Sequence, residues 1–210
     1  MAAVQDGYAK ARAVVRVLIS LAICAALAAQ LQLASARGNI NVGNFFSYFT
    51  VESNIAAALL LITLEFSPGT ALNTLATRVR PAITLYMSMT GIIYAVLLAP
   101  ASADVALTAK WVDVVVHTVG PFIVLADWFL APPDDPPTYT DIRTWVIFPT
   151  LYVVYSLIRG AIVDWYPYPF LDSRLDGGSG KVAISVAVLA VGVVAFACGF
   201  VKLTPRRRDS

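Results

Sequence analysis

The chain has 210 residues, of which 59% are hydrophobic and only 13% charged, against roughly 25% charged in an ordinary soluble domain. Its formal charge of +2 is too small to imply a nucleic-acid partner, and the basic residues gather at the ends of apolar runs instead of forming a surface stripe. No polar stretch between those runs could bury a core of its own, so residues 1–210 read as a single membrane domain.

A spanning helix needs about 20 predominantly apolar residues, and such segments fall at residues 13–33, 45–66, 79–100, 110–130, 142–163 and 182–203. The expected fold is all-α, a polytopic bundle of six transmembrane helices. Lys10, Arg12 and Arg16 ahead of the first run resemble the start of a signal peptide, but the run is long enough to span and reads as a retained helix. Proline, glycine and polar residues interrupt the apolar pattern at 35–43, 67–73, 101–109, 132–137 and 165–180. The positive residues favour an arrangement with both termini cytoplasmic. Lys10, Arg12, Arg16, Arg78, Arg80, Arg143, Lys202, Arg206, Arg207 and Arg208 then lie inside, and Arg37, Lys110, Arg159, Arg174 and Lys181 outside. Cys24 and Cys198 each stand alone in an apolar run, which supports neither a zinc cage nor a disulfide framework, and no metal or cofactor is expected.

Polar groups inside the spans carry the functional signal, because a hydrogen-bonding or ionisable side chain costs free energy in hydrocarbon and usually faces a protein interior or a cavity. In the second span Ser47, Thr50 and Asn54 recur at helical spacing on one face, with Glu52 opposite. In the fourth, Asp113 precedes His117 by one turn and can orient its imidazole, while Pro121 has no N–H for the His117 carbonyl and should kink the helix there. In the assigned topology Thr50 and His117 each lie about six or seven residues from the outer end of their helices, roughly 10 Å deep. Tyr94, Tyr155 and Arg159 come to the same half. A hydroxyl and the chain's single histidine at one level suggest a nucleophile and its base. The same groups also serve as ordinary helix–helix glue.

The fifth span adds a stripe of Tyr152, Tyr155, Ser156 and Arg159. Arg159 could bind an anionic head group or carboxylate, snorkel to the interface, or pair with Asp164. Asp127 is assigned to packing, and Glu65 to a solvated helix end. The segment 165–172, Trp-Tyr-Pro-Tyr-Pro-Phe-Leu-Asp, reads as an aromatic belt or as a roof over a cavity.

Three segments in this order are similar to the androgen-induced-gene and ADTRP family of six-span membrane hydrolases and its bacterial relatives: Tyr48-Phe49-Thr50, then His117-Thr118-Val119-Gly120-Pro121-Phe122 with Asp127, then residues 165–172. The resemblance implies a hydrolase of fatty acid esters of hydroxy fatty acids, with Thr50 as nucleophile and His117 as base. Asp113 is the expected orienter, and Asn54, Tyr94 and Arg159 are candidates to stabilise an oxyanion or a substrate carboxylate, with Ser47 and Tyr155 in support. Membrane lipids and a lipid ester are the expected partners. Few lysines against abundant alanine, valine and arginine suggest a bacterial source and hence a plasma-membrane location. The competing reading is a non-enzymatic lipid-binding or transport protein in which His117 senses protonation.

Overall fold

The computed structural model describes residues 2–36, 41–98 and 109–206, so Arg37, Arg207, Arg208 and most of the 101–109 connection lie outside the described residues. In chain order the helices are α1 (Ala2–Ala36), α2 (Val42–Phe45), α3 (Phe49–Phe66), α4 (Ala71–Ile93), α5 (Lys110–Val114), α6 (Gly120–Leu130), α7 (Ile142–Trp145), α8 (Ile147–Val163) and α9 (Gly178–Leu203). α4 continues through a π-helical turn at Tyr94–Leu98, and a second π-turn at Val115–Val119 joins α5 to α6. A 3-10 turn occupies Pro169–Leu171.

Six helical stretches have the length and composition of membrane spans: Val4–Ala36, Phe49–Phe66, Ala71–Leu98, Lys110–Leu130, Ile142–Val163 and Gly178–Leu203. The protein is thus an all-helical, multi-pass integral membrane protein, and the fourth and fifth spans begin and end where the sequence places them. The second span differs. Asn41 accepts the Asn44 N–H through its side chain and caps the start of the short helix α2, after which residues 46–48 turn before α3 begins at Phe49. The helical face expected to join Ser47 to Thr50 and Asn54 is therefore broken, and Ser47 lies outside the spanning helix.

The chain forms two compact units. The first comprises residues 1–40 and 50–133, the second residues 41–49 and 134–210. In the first unit α4 packs along α6, and α1 packs against α5, the second π-turn and α6. Close approach of α4 rests on Gly91, where a Cβ would come within 3.1 Å of the Pro121 side chain and 3.2 Å of the His117 carbonyl oxygen.

At the other end of α6, Asp127 is gripped by two arginines: Arg16 Nε and Nη2 donate at 2.7 and 2.9 Å, and Arg80 Nη2 at 2.9 Å. Arg16 also donates to Glu65 at 2.6 Å. All but Glu65 are buried, and Arg80 stacks over Trp128, itself only 1% exposed. Glu65, expected in solvent, is an ion-pair partner, because a buried Arg16 carries more donors than Asp127 alone can satisfy. Arg16 and Arg80 thus tie three spans to α6, beyond their role as topology signals.

In the second unit α9 packs on α7 and on the 3-10 turn, with Trp145 and Phe200 edge to face at 5.9 Å. α8 ends at Asp164, whose left-handed backbone (φ 54°) turns the chain into the aromatic segment.

Candidate functional site

The first unit brings Thr50, Ser53 and Asn54 of α3 together with Thr90 and Tyr94 of α4 and with Asp113 and His117. The local cause lies in the backbone around His117. In an α-helix the Gly120 N–H would bond to the Val116 carbonyl, but here it bonds to Val115, one residue further back. The next residue, Pro121, has no N–H to give His117. Two successive carbonyls, those of Val116 and His117, thereby lose their α-helical donors. The proline expected to kink the helix is accommodated by this wider turn, a geometry that recurs at functional sites.

Asn54 satisfies one of the two freed carbonyls. Its Nδ2 donates to Val116 O at 3.1 Å and to Thr50 O at 2.9 Å. One amide thus ties the backbone of Thr50 to the residue preceding His117. The amide orientation is fixed by its surroundings, since reversing it would set an oxygen against two carbonyl oxygens. Both amide protons are committed, so Asn54 has none left for an oxyanion, contrary to its expected role. Its Oδ1 is buried without a hydrogen-bond partner. Ser53 adds a second link, its hydroxyl 2.9 Å from that of Thr90.

Around His117 the side chains form a compact group. His117 Nδ1–H donates to Asp113 Oδ1 at 2.9 Å, and the Tyr94 hydroxyl donates to Asp113 Oδ2. The Tyr94 ring lies flat on the imidazole, centroids 4.0 Å apart and planes 7° from parallel. Asp113 therefore accepts from both residues and fixes the tautomer that leaves His117 Nε2 unprotonated. Tyr94, expected near an oxyanion, instead spends its proton on Asp113 and holds the imidazole by stacking. Among the described residues the His117 side chain hydrogen-bonds to Asp113 alone.

Ser47, Tyr155 and Arg159 fall in the second unit, where the expected stripe on α8 holds the chain leading into α3. Tyr152 donates its hydroxyl to Ser47 O at 2.8 Å and accepts the Phe49 N–H at 3.2 Å, filling one of the orphan donors at the start of α3. Ser47 Oγ lies 2.8 Å from Tyr155 Oη and donates to Gly43 O at 2.6 Å. One turn further along, Arg159 donates to Asn44 Oδ1 at 2.6 Å. Thr50 is the residue after Phe49 and the second of α3. No cluster of three or more His, Cys, Asp or Glu suited to a metal ion occurs among the described residues.

The match to known families settles the kinship. The FAR-17a/AIG1-like protein family aligns with residues 82–201, more than half of the chain. The chain belongs to this family. The FAR-17a/AIG1-like match takes in Tyr94, Asp113, His117, Tyr155 and Arg159, and begins after Thr50 and Asn54. No curated protein and no solved structure matches the chain significantly.

Sequence reasoning missed the Val116 carbonyl, the bridging amide of Asn54 and the role of Gly91. The Gly120-Pro121 pair was the available signal. A proline withholds a donor from the residue four before it, and a glycine beside it lets the turn widen.

Proposed function

We propose that the protein hydrolyses lipid esters within the membrane, with Thr50 as nucleophile, His117 as general base and Asp113 as its orienter. The observation that carries this reading is the Asp113–His117 pair, held by Tyr94, on a π-turn that Asn54 ties to the Thr50 backbone. A carboxylate on Nδ1 and a stacked ring on one face leave Nε2 as the working nitrogen.

In the proposed reaction Nε2 takes the Thr50 hydroxyl proton as Oγ attacks the ester carbonyl. The tetrahedral intermediate collapses, the C–O bond to the leaving alcohol breaks, and His117 returns the proton to that oxygen. Water, deprotonated by the same nitrogen, then cleaves the acyl-threonine ester and restores the hydroxyl. At the start of α3 the helix dipole favours the negative charge that develops on the carbonyl oxygen. Esters of hydroxy fatty acids are the substrate class that family membership suggests. Both termini are placed in the cytoplasm by the distribution of Lys and Arg, and the plasma membrane of a bacterium is the proposed setting.

An electrophilic lipid or a fluorophosphonate tests the reading. Peptide mapping should find one adduct, on Thr50, absent from Thr50→Ala and strongly slowed in His117→Ala. A label elsewhere, or none with folded protein, overturns it. The second reading, a lipid carrier without turnover, is favoured by the single side-chain hydrogen bond of His117 among the described residues and would then take its place.

A further inference from the structure

Arginines inside the spans are treated unequally. Arg16 and Arg80 are neutralised by Asp127 and Glu65. Arg159, one turn before the end of α8, has no carboxylate partner among the described residues. Asp164, the residue closest in sequence that could serve, is taken instead by Arg174, at 3.2 Å from Nη1, with Asp172 at 2.7 Å from Nη2 of the same side chain. The pairing of Arg159 with Asp164 anticipated from sequence is therefore replaced.

What holds Arg159 is neutral. Nη2 donates to Asn44 Oδ1 at 2.6 Å, and the guanidinium lies 5.3 Å from the Trp165 ring centroid. Its Nη1 is enclosed and has no acceptor. The backbone closes in at Gly43, where a Cβ would stand 3.3 Å from Nη2. The head group is thus fixed by an amide, an indole face and a glycine, with the buried Nη1 unspent. Position near a helix C-terminus and stacking on tryptophan offset part of the cost of the charge. They supply no acceptor for Nη1, and a cation in a span without an anion is expensive.

We infer that Arg159, with Asn44 and Trp165, is a recognition site for the oxyanion of an amphiphile, met by Nη1 after a small shift of the side chain. The ligand carries a carboxylate at the end of an acyl chain or a phosphodiester in a head group, both suited to the guanidinium fork. The site lies wholly in the second unit and does not depend on the hydrolase reading.

Binding to the full-length protein in nanodiscs provides the test, read by native mass spectrometry and by Trp165 fluorescence against a Trp165→Phe control. The probes are oleate against methyl oleate, and phosphatidylglycerol against phosphatidylcholine. Wild type should bind one anionic probe at least about tenfold more tightly than its uncharged or zwitterionic counterpart. Preference for oleate identifies a carboxylate, and preference for phosphatidylglycerol a head-group phosphate. Arg159→Gln should abolish the difference, and Arg159→Lys should keep part of it, through charge without the fork. Equal binding of both members of each pair by wild type overturns the inference, as does full discrimination by a folded Arg159→Gln protein. Because the readout is binding, a protein that discriminates but turns over no ester separates this inference from failure of the proposed reaction.

Discussion

Replacing Asn54 tests the link between the proposed nucleophile, Thr50, and the proposed base, His117, without touching either. The conservative choice on size is Asp, and the disruptive one Leu, yet the geometry reverses that order. Nδ2 serves two carbonyl oxygens at 2.9 and 3.1 Å, and Asp would set an oxygen there in its place. Even protonated, it could satisfy only one of the two. Leu leaves the Val116 carbonyl unpaired in a site where Val116 is 1% and Asn54 0% exposed, a cost of about 1–3 kcal/mol. It also removes the unpartnered Oδ1, which returns roughly 1 kcal/mol of desolvation cost. Thr50 O keeps a further acceptor contact with the Ser53 hydroxyl at 3.2 Å and adds little. Asn54→Leu should therefore lose about 0–2 kcal/mol net, and Asn54→Asp about 3 kcal/mol or more once two oxygens oppose each other. Melting in detergent should rank wild type above Leu and Leu above Asp. Turnover should fall by about a hundredfold in both, since a displacement of about 1 Å between reacting groups has that effect. An Asp variant as stable as wild type would mean that the amide faces the other way, and the bridge between Thr50 and the π-turn would be lost from the argument.

Thr50→Ala and His117→Ala should each abolish ester hydrolysis with little loss of stability, and Thr50→Ser should retain part of it. The double variant should be no worse than either single one, and multiplicative losses in kcat would deny that the two residues act as a unit. Wild-type activity should rise with pH as His117 becomes neutral, since only neutral Nε2 accepts the proton; a flat profile would count against the base. Tyr94→Phe keeps the stacked ring but loses the hydrogen bond to Asp113, so kcat should drop about tenfold with KM unchanged, whereas Tyr94→Leu should lose more. Asp127→Ala leaves Arg80 without a carboxylate and Arg16 with Glu65 alone, and should destabilise by about 3–5 kcal/mol, visible as loss of folded protein in detergent. In the aromatic segment, hydrogen bonds from Arg174 hold the Asp172 carboxyl below its usual range. That contribution is present above the unfolded carboxyl value, about 3.9, and disappears as pH falls through the lower folded value. Limited proteolysis at residues 172–176 should therefore accelerate only in strong acid, and in Arg174→Ala should already be fast at neutral pH.

The spans were legible because each is a continuous apolar run, and in a membrane backbone hydrogen bonding leaves few alternatives to helix. Asp113 and His117 were legible as a pair because both sit on one helix, where a separation of one turn decides contact. What the sequence concealed depends on relations between chain segments. Ser47 keeps helical spacing to Thr50, but Asn41 starts a short helix before it, and a periodic count cannot tell a continuing helix from one that stops and restarts. Tyr155 and Arg159 were visible as a stripe; that the stripe grips residues 44–49 was not. Glu65 and Asp127 were read separately as a solvated end and a packing residue because nothing local to either shows that Arg16, far along the chain, serves both.

The same distinction explains why the polar residues of this bundle divide into supports and reactive groups. A buried donor or acceptor in a span must find a partner, and most do: Asn54 serves two carbonyls, Tyr94 serves Asp113, and Tyr152 serves both Ser47 and Phe49. Residues so committed cannot also stabilise charge on a substrate unless the helices they join come apart. Chemistry is left to groups with capacity unspent, and two stand out: Nε2 of His117 and Nη1 of Arg159. One is an imidazole nitrogen on a turn widened by Gly120 and Pro121, and the other belongs to a cation without a carboxylate partner among the described residues. Placing either in hydrocarbon costs free energy that packing alone does not return. In the proposed readings an ester meets the first and an oxyanion the second.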